Sequence, residues 1–571
     1  MTFSELAGYL DRMESTTSRN ELVKLLADIY QKSSPDEIQP ITYLIQGRLV
    51  PFFEPVEIGL GEKLVIASIA QAFDKPAAEV SKLYDQVGDL GIVAERLSGQ
   101  KASSKLSVDA VHARLTQIAE ASGAGSVEKK RSEFASLLRD VDPTSAKHLV
   151  RMALGRLRLG IGDPTVLDGL SFAKKGDRSL RPGLEGAYIR TSDLGLIART
   201  FWEGGERAVN ALKVTVGRPI RSQLAERLPN PEAVIKRLGT VDVQPKYDGI
   251  RVQIHKQGST VRIFSRNLED FTLMFAELAE ATRKLKDRTL ILDGEAIAYS
   301  KETEEYVPFQ LTASRRRKHG IEQAASELPL SAFIFDILFR DGRDLTELPY
   351  EKRLAIVDEV IKGSSVLLPA PIIKTDSVEV LTKTLLDYIS QGLEGVVVKR
   401  PDSPYQAGAR NFNWVKLKRH TSGQLNDTVD LVLLGYYFGK GKRAEFGVGA
   451  LLAGVYDKTN DRFVTITKLG TGLSDAEWRE IHKRADKLQV DHKPARVESE
   501  LVPDAWLKPE VVVEVLADEI TPSPRHTAGY ALRFPRIVSF RGADKRPEDA
   551  TTVKEIVEMF KQQGKKAVPA G

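Results

Sequence analysis

Apolar residues spaced three and four apart fill roughly the first 215 positions, and this spacing predicts one amphipathic helix after another. Examples run from Asp36 to Leu49, Gly61 to Phe73, Ala77 to Leu97, Ser107 to Ala121 and Ser126 to Leu138, and Asp142-Pro143 opens a further helix carrying Lys147 and Arg151. After Thr215 the period falls to two, in short β-branched runs separated by isolated helices, the pattern of an α+β unit reaching about Lys418. Beyond His420 come five strand-like runs: Val429 to Phe438, Ala450 to Tyr456, Phe463 to Leu469, Val511 to Ile520 and Arg533 to Phe540. A helix from Ser474 to Leu488 divides the third from the fourth, which is the layout of an OB-fold barrel. The expected architecture is therefore multidomain, α and α+β: an all-α module at 1–215, an α+β module at 216–420 and a C-terminal OB-fold β-barrel at 421–571.

Composition agrees and narrows the chemistry. A chain of 571 residues, 42% hydrophobic and 28% charged, can bury several cores and is not a disordered sequence. It has no cysteine, which removes disulfides, thiolate nucleophiles, iron–sulfur clusters and zinc sites built on Cys. A net charge of +5 says little about nucleic acid, so any basic surface must come from local segregation. Clusters such as Lys129 to Arg131 are interleaved with acids and read as solvated helix faces. The first residues, with Glu5 and Asp11, lack the basic start and apolar core of an export signal. The apolar run from Leu431 to Gly439 is far shorter than the roughly 18 to 20 residues that span a bilayer, so a cytoplasmic protein with no membrane partner is expected.

The candidate chemistry begins in VDVQPKYDGIRVQIHK, where two alternating runs mark strands and Asp248-Gly249 supplies the turn between them. Alternation puts Asp242, Gln244 and Lys246 on one face and Val241 and Val243 on the other, which projects Lys246 from a strand end into a polar cleft. Five further motifs follow. Ser265 to Asn267 succeeds a strand, Asp293 and Glu295 sit two apart on one strand face, and Phe335 and Asp336 mark another strand end. LEGVVVK carries Glu394 and Lys399 around a buried Val run, and WVKLK sets Lys416 and Lys418 on one face.

In this order the motifs resemble the covalent nucleotidyltransferase superfamily, and the whole chain resembles the ATP-dependent DNA ligases of the archaeal type. RLRLGIGDPTVLDGL from Arg156 and RFPRIVSFRGADKRPEDATT from Arg533 extend the resemblance to both ends. It implies a ligase that seals nicks in duplex DNA through a lysine–AMP intermediate and a DNA-adenylate, in replication, repair, recombination and cell division. Lys246 would be the nucleophile, forming a P–N bond that holds AMP, and neighbouring cations would help the amine shed its proton. The resemblance further implies that Gln244 lies at the adenine edge, Phe335 stacks on adenine, and Arg251 and Arg266 contact the ribose and phosphate. Glu295 would meet the ribose or metal, with Glu295 and Glu394 as carboxylates for Mg²⁺ and Mn²⁺ an alternative. Arg410, Lys416 and Lys418 would reach the phosphates, and Arg533, Arg536 and Lys545 the β- and γ-phosphates of ATP. Asp293 and Asp336 are read as structural.

Many relatives carry Glu where Gln244 stands, so base selectivity stays open. A hinge at 418–428, with Ser422 and Gly423, would let the OB module close and reopen. Nicked double-stranded DNA is the expected partner, held through its phosphates by the helical module, by Lys440 to Arg443 and by Arg315 to Lys318, and the enzyme is expected to be a monomer. Sliding-clamp binding through Gln100 to Ser104 is left open. RNA ligases and capping enzymes share the lysine but not the long helical module, NAD-dependent ligases are disfavoured by the missing Cys cluster, and a non-catalytic adaptor would tolerate decay at Lys246 or Glu394, where none is seen.

Overall fold

The structure is a computed structural model that describes every residue except 100–103, 301–304, 307–311, 313–314, 316–320, 322, 324, 326–327, 392, 419–427, 439–446, 471–474, 518, 543–544 and 564–571. The hinge expected around Ser422 and Gly423, the basic run at 440–443, most of the run at 315–318 and most of the clamp-binding stretch at 100–104 lie outside the described residues. Contacts divide the chain into two compact units: Met1–Tyr188, Ser192–Leu212 and Val490–Val497, and Ile189–Thr191, Lys213–Gln489 and Glu498–Gly571. Where the sequence reading separates an α+β module from a C-terminal barrel, both fall in the second unit.

The first unit holds twelve α-helices among the described residues, from Phe3–Ser15 to Leu194–Asn210. Their starts are capped by side-chain oxygens of Thr2, Ser18, Asp89, Ser107, Asp142 and Asp193. One expected helix is two. Gly88, left-handed at φ 72°, ends Ala77–Val87, and Asp89 at once caps Leu90–Leu97. Leu6, Leu10, Leu22, Leu26, Tyr30 and Phe134 share one core. Val490–Val497, assigned from sequence to the C-terminal module, belongs here: Ala495 packs against this core, and His492 Nε2 lies 2.9 Å from the Glu14 carbonyl oxygen. No helix among the described residues is long and apolar enough to cross a membrane.

The second unit opens with strands β1 (Leu224–Arg227), β2 (Val241–Lys246), β3 (Ile250–Gln257), β4 (Thr260–Ser265), β5 (Thr289–Ser300), β6 (Glu305–Tyr306), β7 (Leu330–Arg340), β8 (Arg343–Asp344), β9 (Leu367–Pro369), β10 (Ile373–Thr375), β11 (Gly395–Lys399) and β12 (Arg410–Lys418). They form two sheets, ordered β1-β12-β11-β2-β10 and β4-β3-β5-β7-β8, with β6 added to β5 and β9 to β7. The hairpin expected at Asp248-Gly249 is not formed. β2 pairs with β10 and β11, whereas β3 pairs with β4 and β5, so the link after Lys246 crosses from one sheet to the other. Each strand follows its own core: Val241 and Val243 pack with Val396, Val398 and Val415, while Ile250, Val252 and Ile254 pack with Leu290 and Leu292. Gly249 suits the crossing because a Cβ there would stand 2.6 Å from the Ala296 carbonyl oxygen.

The C-terminal part is β-rich. Strands β13 (Val429–Phe438), β14 (Val448–Asp457) and β15 (Arg462–Leu469) form an antiparallel meander, and helix Asp475–Leu488 follows. The expected run from Val511 to Ile520 is two strands. Val512–Leu516 pairs with β13, and Glu519–Pro522 turns away to pair with Tyr530–Arg533. The last run begins at Arg536, because Phe534 sits at φ 51° and interrupts the extended chain before Pro535. Helix Val553–Gln563 closes the unit with Ile556 in the barrel core.

Candidate active site

Three residue rows cross β2, β11 and β12 on one face. Lys246 stands opposite Gly395 and Gly395 opposite Lys418; Gln244 opposite Val397 and Val397 opposite Lys416; Asp242 opposite Lys399 and Lys399 opposite Trp414. Alternation sends Val396, Val398 and Val415 to the core behind, so Gln244, Lys246, Lys399, Trp414, Lys416 and Lys418 face a cavity of about 240 Å³. Gly395 is required where it stands. Its φ is 141°, and a Cβ would fall 2.1 Å from the Leu417 carbonyl oxygen.

The Lys246 ammonium is ion-paired with Glu394, whose other cation is Lys418 at 3.4 Å. Burial alone would raise the Glu394 carboxyl, but the charges of Lys246, Lys418 and Lys416 outweigh it and hold the group well below the usual carboxylate range. Asp248, beside it, is pushed up to about 6 by burial and by the Glu394 charge. Gln244 is buried, and its Nε2 has no hydrogen-bond partner among the described residues.

The facing wall comes from β3, β5 and β7. Arg251 stands opposite Glu295 and lines the cavity, but its guanidinium is held by Asp293, with Nε–Oδ1 3.0 Å and Nη2–Oδ2 2.6 Å, and donates to the Gln223 carbonyl at 2.9 Å. Burial pushes the Glu295 carboxyl up to about 8, more than the nearby Lys246 and Arg251 charges bring it down. Phe335 is not at a strand end as the sequence suggested. It lies mid-strand in β7, in the register shift where Asp293 faces Asp336 but Gly294 faces Ile334. A bulge of this kind re-aims a side chain, and the Phe335 ring lines the cavity perpendicular to Trp414 at 5.8 Å. Asp336 is fully buried in a two-pronged pair with Arg353, at 2.7 and 3.0 Å.

Cations and acids of the C-terminal part complete the lining. Arg410 pairs with Glu555, and Lys545 with Asp430, which also accepts from Arg541 at 2.9 Å. Burial, then Arg227 and Arg266, bring Arg410 down to about 10, so it remains charged at neutral pH. Of the residues expected from sequence, Gln244, Lys246, Arg251, Arg266, Glu295, Phe335, Glu394, Arg410, Lys416, Lys418 and Lys545 line this one cavity. Arg533 and Arg536 are exposed and do not line it; Arg541 stands there instead. Burial of Ile537 in the barrel core turns Arg536 and Val538 outward. Sequence reading also missed Trp414, and it named Lys399 without a role. Period two within each strand would have found both, Trp414 counting back from Lys418 and Lys416, and Lys399 counting on from Gly395 and Val397.

Three family models match the chain: "DNA ligase N terminus" at residues 2–171, "ATP dependent DNA ligase domain" at 222–418 and "ATP dependent DNA ligase C terminal region" at 444–545. The chain is 49% identical to a "Probable DNA ligase" of Dictyoglomus thermophilum, over 100% of this chain and 99% of the relative. It is 40% identical to a "DNA ligase" of Sulfolobus acidocaldarius, again over 100% and 99% of the two chains. A solved structure of a mycobacterial DNA ligase D complexed with ATP and MES is similar at 25% identity, covering 58% of this chain and 97% of that one, with a TM-score of 0.36.

Proposed function

Because the chain belongs to the ATP-dependent DNA ligases, of the archaeal type, which seal nicks through an adenylate intermediate, we propose that Lys246 is the amine that carries AMP. The carrying observation is the Lys246–Glu394 pair, flanked by Lys418 and Lys416 on the same cavity wall as Gln244. The Lys246 ammonium first loses one proton to solvent; the free Nζ then attacks the α-phosphorus, the bond to pyrophosphate breaks, and the nitrogen sheds a second proton to solvent, leaving a P–NH link to AMP. Glu394 must release the ammonium before the amine can attack. AMP then passes to the 5′-phosphate at the nick, and the 3′-hydroxyl displaces it as the phosphodiester forms.

The lining residues divide this work. Arg266, Arg410, Lys416, Lys418 and Lys545 offset the charge of the triphosphate and of departing pyrophosphate, so catalysis is largely positioning and electrostatics. Asp430 and Glu555, now on Lys545 and Arg410, would be exchanged for phosphate oxygens. Phe335 and Trp414 offer apolar surface to the adenine, and the buried donor of Gln244 supports its place at the base edge. Arg251, held by Asp293, reaches the ribose from a fixed position. Two carboxylates, Glu295 and Glu394, fit Mg²⁺, a hard ion that asks the protein for one or two acidic oxygens. When bound, it would neutralise phosphate charge; Glu295, otherwise raised toward protonation, would be held ionised there.

The separate matches at 2–171, 222–418 and 444–545 support three working modules, with boundaries near 215 and 420. The family matches support nicked duplex DNA as the substrate, on which the enzyme is proposed to act as a monomer in the cytoplasm. Incubation with α-labelled ATP and Mg²⁺ without DNA tests the reading. Wild type should take up acid-labile label and Lys246→Ala none; an unlabelled wild type, or an equally labelled variant, overturns it. Labelled GTP in place of ATP asks whether the base is selected.

A further inference from the structure

Phe335 occupies a weak point of its sheet, because the register shift in β7 denies its backbone a regular ladder partner. Its carbonyl oxygen accepts instead from Lys399 Nζ at 3.3 Å and from the Tyr350 hydroxyl at 3.2 Å. Lys399 comes from the other sheet and is 1% exposed. Its Nζ also meets the Tyr350 hydroxyl at 3.1 Å and lies 4.4 Å from the Phe335 ring centroid, 4.5 Å from that of Tyr350 and 4.0 Å from that of Trp414. Among the described residues its charge is thus met by three rings and two neutral oxygens rather than by an ion pair. An amine sequestered this way binds aromatic faces strongly, since water does not compete for it.

We propose that Lys399 is a positioning residue that fixes the Phe335 ring as the platform on which the adenine of ATP stacks. The inference rests on Phe335 meeting the base, as assigned above. Lys399 does not touch the reacting phosphate; it acts through Phe335 and Trp414, tying the bulge of one sheet to the third cross-strand row of the other.

The cage also makes the platform sensitive to pH. Burial brings Lys399 down to about 7. Of the charges facing it, Asp336 of β7 and Asp293 of β5 favour the ammonium, Arg251 of β3 and Arg353 of helix Tyr350–Val360 oppose it, and Asp242 of β2 stands across the strand. Below pH 7 the ammonium holds the rings. Above it the neutral amine loses the cation–π attraction, and the base is held less firmly.

Self-adenylylation of the full chain with labelled ATP reads this directly. Lys399→Met should raise the half-saturating ATP concentration about tenfold while the maximal rate stays within about twofold of wild type. The same substitution in a Phe335→Ala background should add nothing, because the residue acts through that ring. An unchanged half-saturation in Lys399→Met, or an equal further rise on top of Phe335→Ala, overturns the proposal. If Phe335→Ala itself binds ATP as wild type does, the assignment of Phe335 to the base fails instead. Should Lys399→Met not fold, Lys399→Arg keeps a permanent cation. Wild-type half-saturation should then rise from pH 6.5 to 8 while that of Lys399→Arg changes less, and coincident profiles overturn the proposal.

Discussion

At one end of the β2–β11 pairing Lys246 stands across from Gly395 with its ammonium on Glu394; at the other Lys399 stands across from Asp242 with its ammonium among rings. The two lysines lie on one face of neighbouring strands, yet their charges are handled in opposite ways. Around Lys246 cations are met by acids that the proposed ligand would displace: Glu394 on Lys246 and Lys418, Glu555 on Arg410, Asp430 on Lys545. Around Lys399 the formal charges of Asp293 and Arg251 and of Asp336 and Arg353 are locked in scaffold pairs, and Phe335 and Trp414 line the cavity there. On the proposed function, one cavity thus offers exchangeable charge for phosphates and fixed apolar geometry for a base.

The contrast breaks most severely at its scaffold. Asp336→Ala leaves Arg353 buried without its carboxylate and should cost about 3–5 kcal/mol of stability in denaturant unfolding. A loss below about 1 kcal/mol would show that the pair is not structural. Next comes Glu394→Gln, which keeps the shape but removes the exchangeable charge, and self-adenylylation should slow about 10²–10³-fold with little change in unfolding. Phe335→Ala should weaken ATP binding by about 1–3 kcal/mol, the range for losing one base–aromatic stack, and leave inhibition by pyrophosphate unaltered. The smallest effect sharpens the comparison most. Raising salt should weaken pyrophosphate binding a few-fold but not adenosine binding, since only the former depends on exposed charge.

Much of this was legible in the residues because it rests on alternation. The polar face of β2, the paired lysines of β12 and the acid positions of β5 each follow from counting by two along that strand. Helix existence in the first unit followed the apolar spacing equally well, but the split at Gly88-Asp89 did not, since apolar residues continue in phase across it. The hairpin expected at Asp248-Gly249 failed because local turn chemistry carries no information on which core each flanking strand will join. The sequence suggests a strand end at Phe335 because a bulge leaves no mark in the hydrophobic pattern. Charge and the resemblance of the terminal motif point Arg533 and Arg536 to the phosphates, and only the burial of Ile537 and the left-handed Phe534 show that the chain turns them outward while Arg541 faces in.

Gly395 sits between the two lysines of the first row, with its neighbour's carboxylate on both. No other amino acid can occupy that position without driving β11 from β12, given a φ of 141° and a carbonyl oxygen 2.1 Å from where a methyl would go. The spacing of Lys246 and Lys418 is thus inherited as a main-chain dimension. Descendants of this sequence can retune the surrounding charges one codon at a time, while the gap across which those charges act is closed to drift.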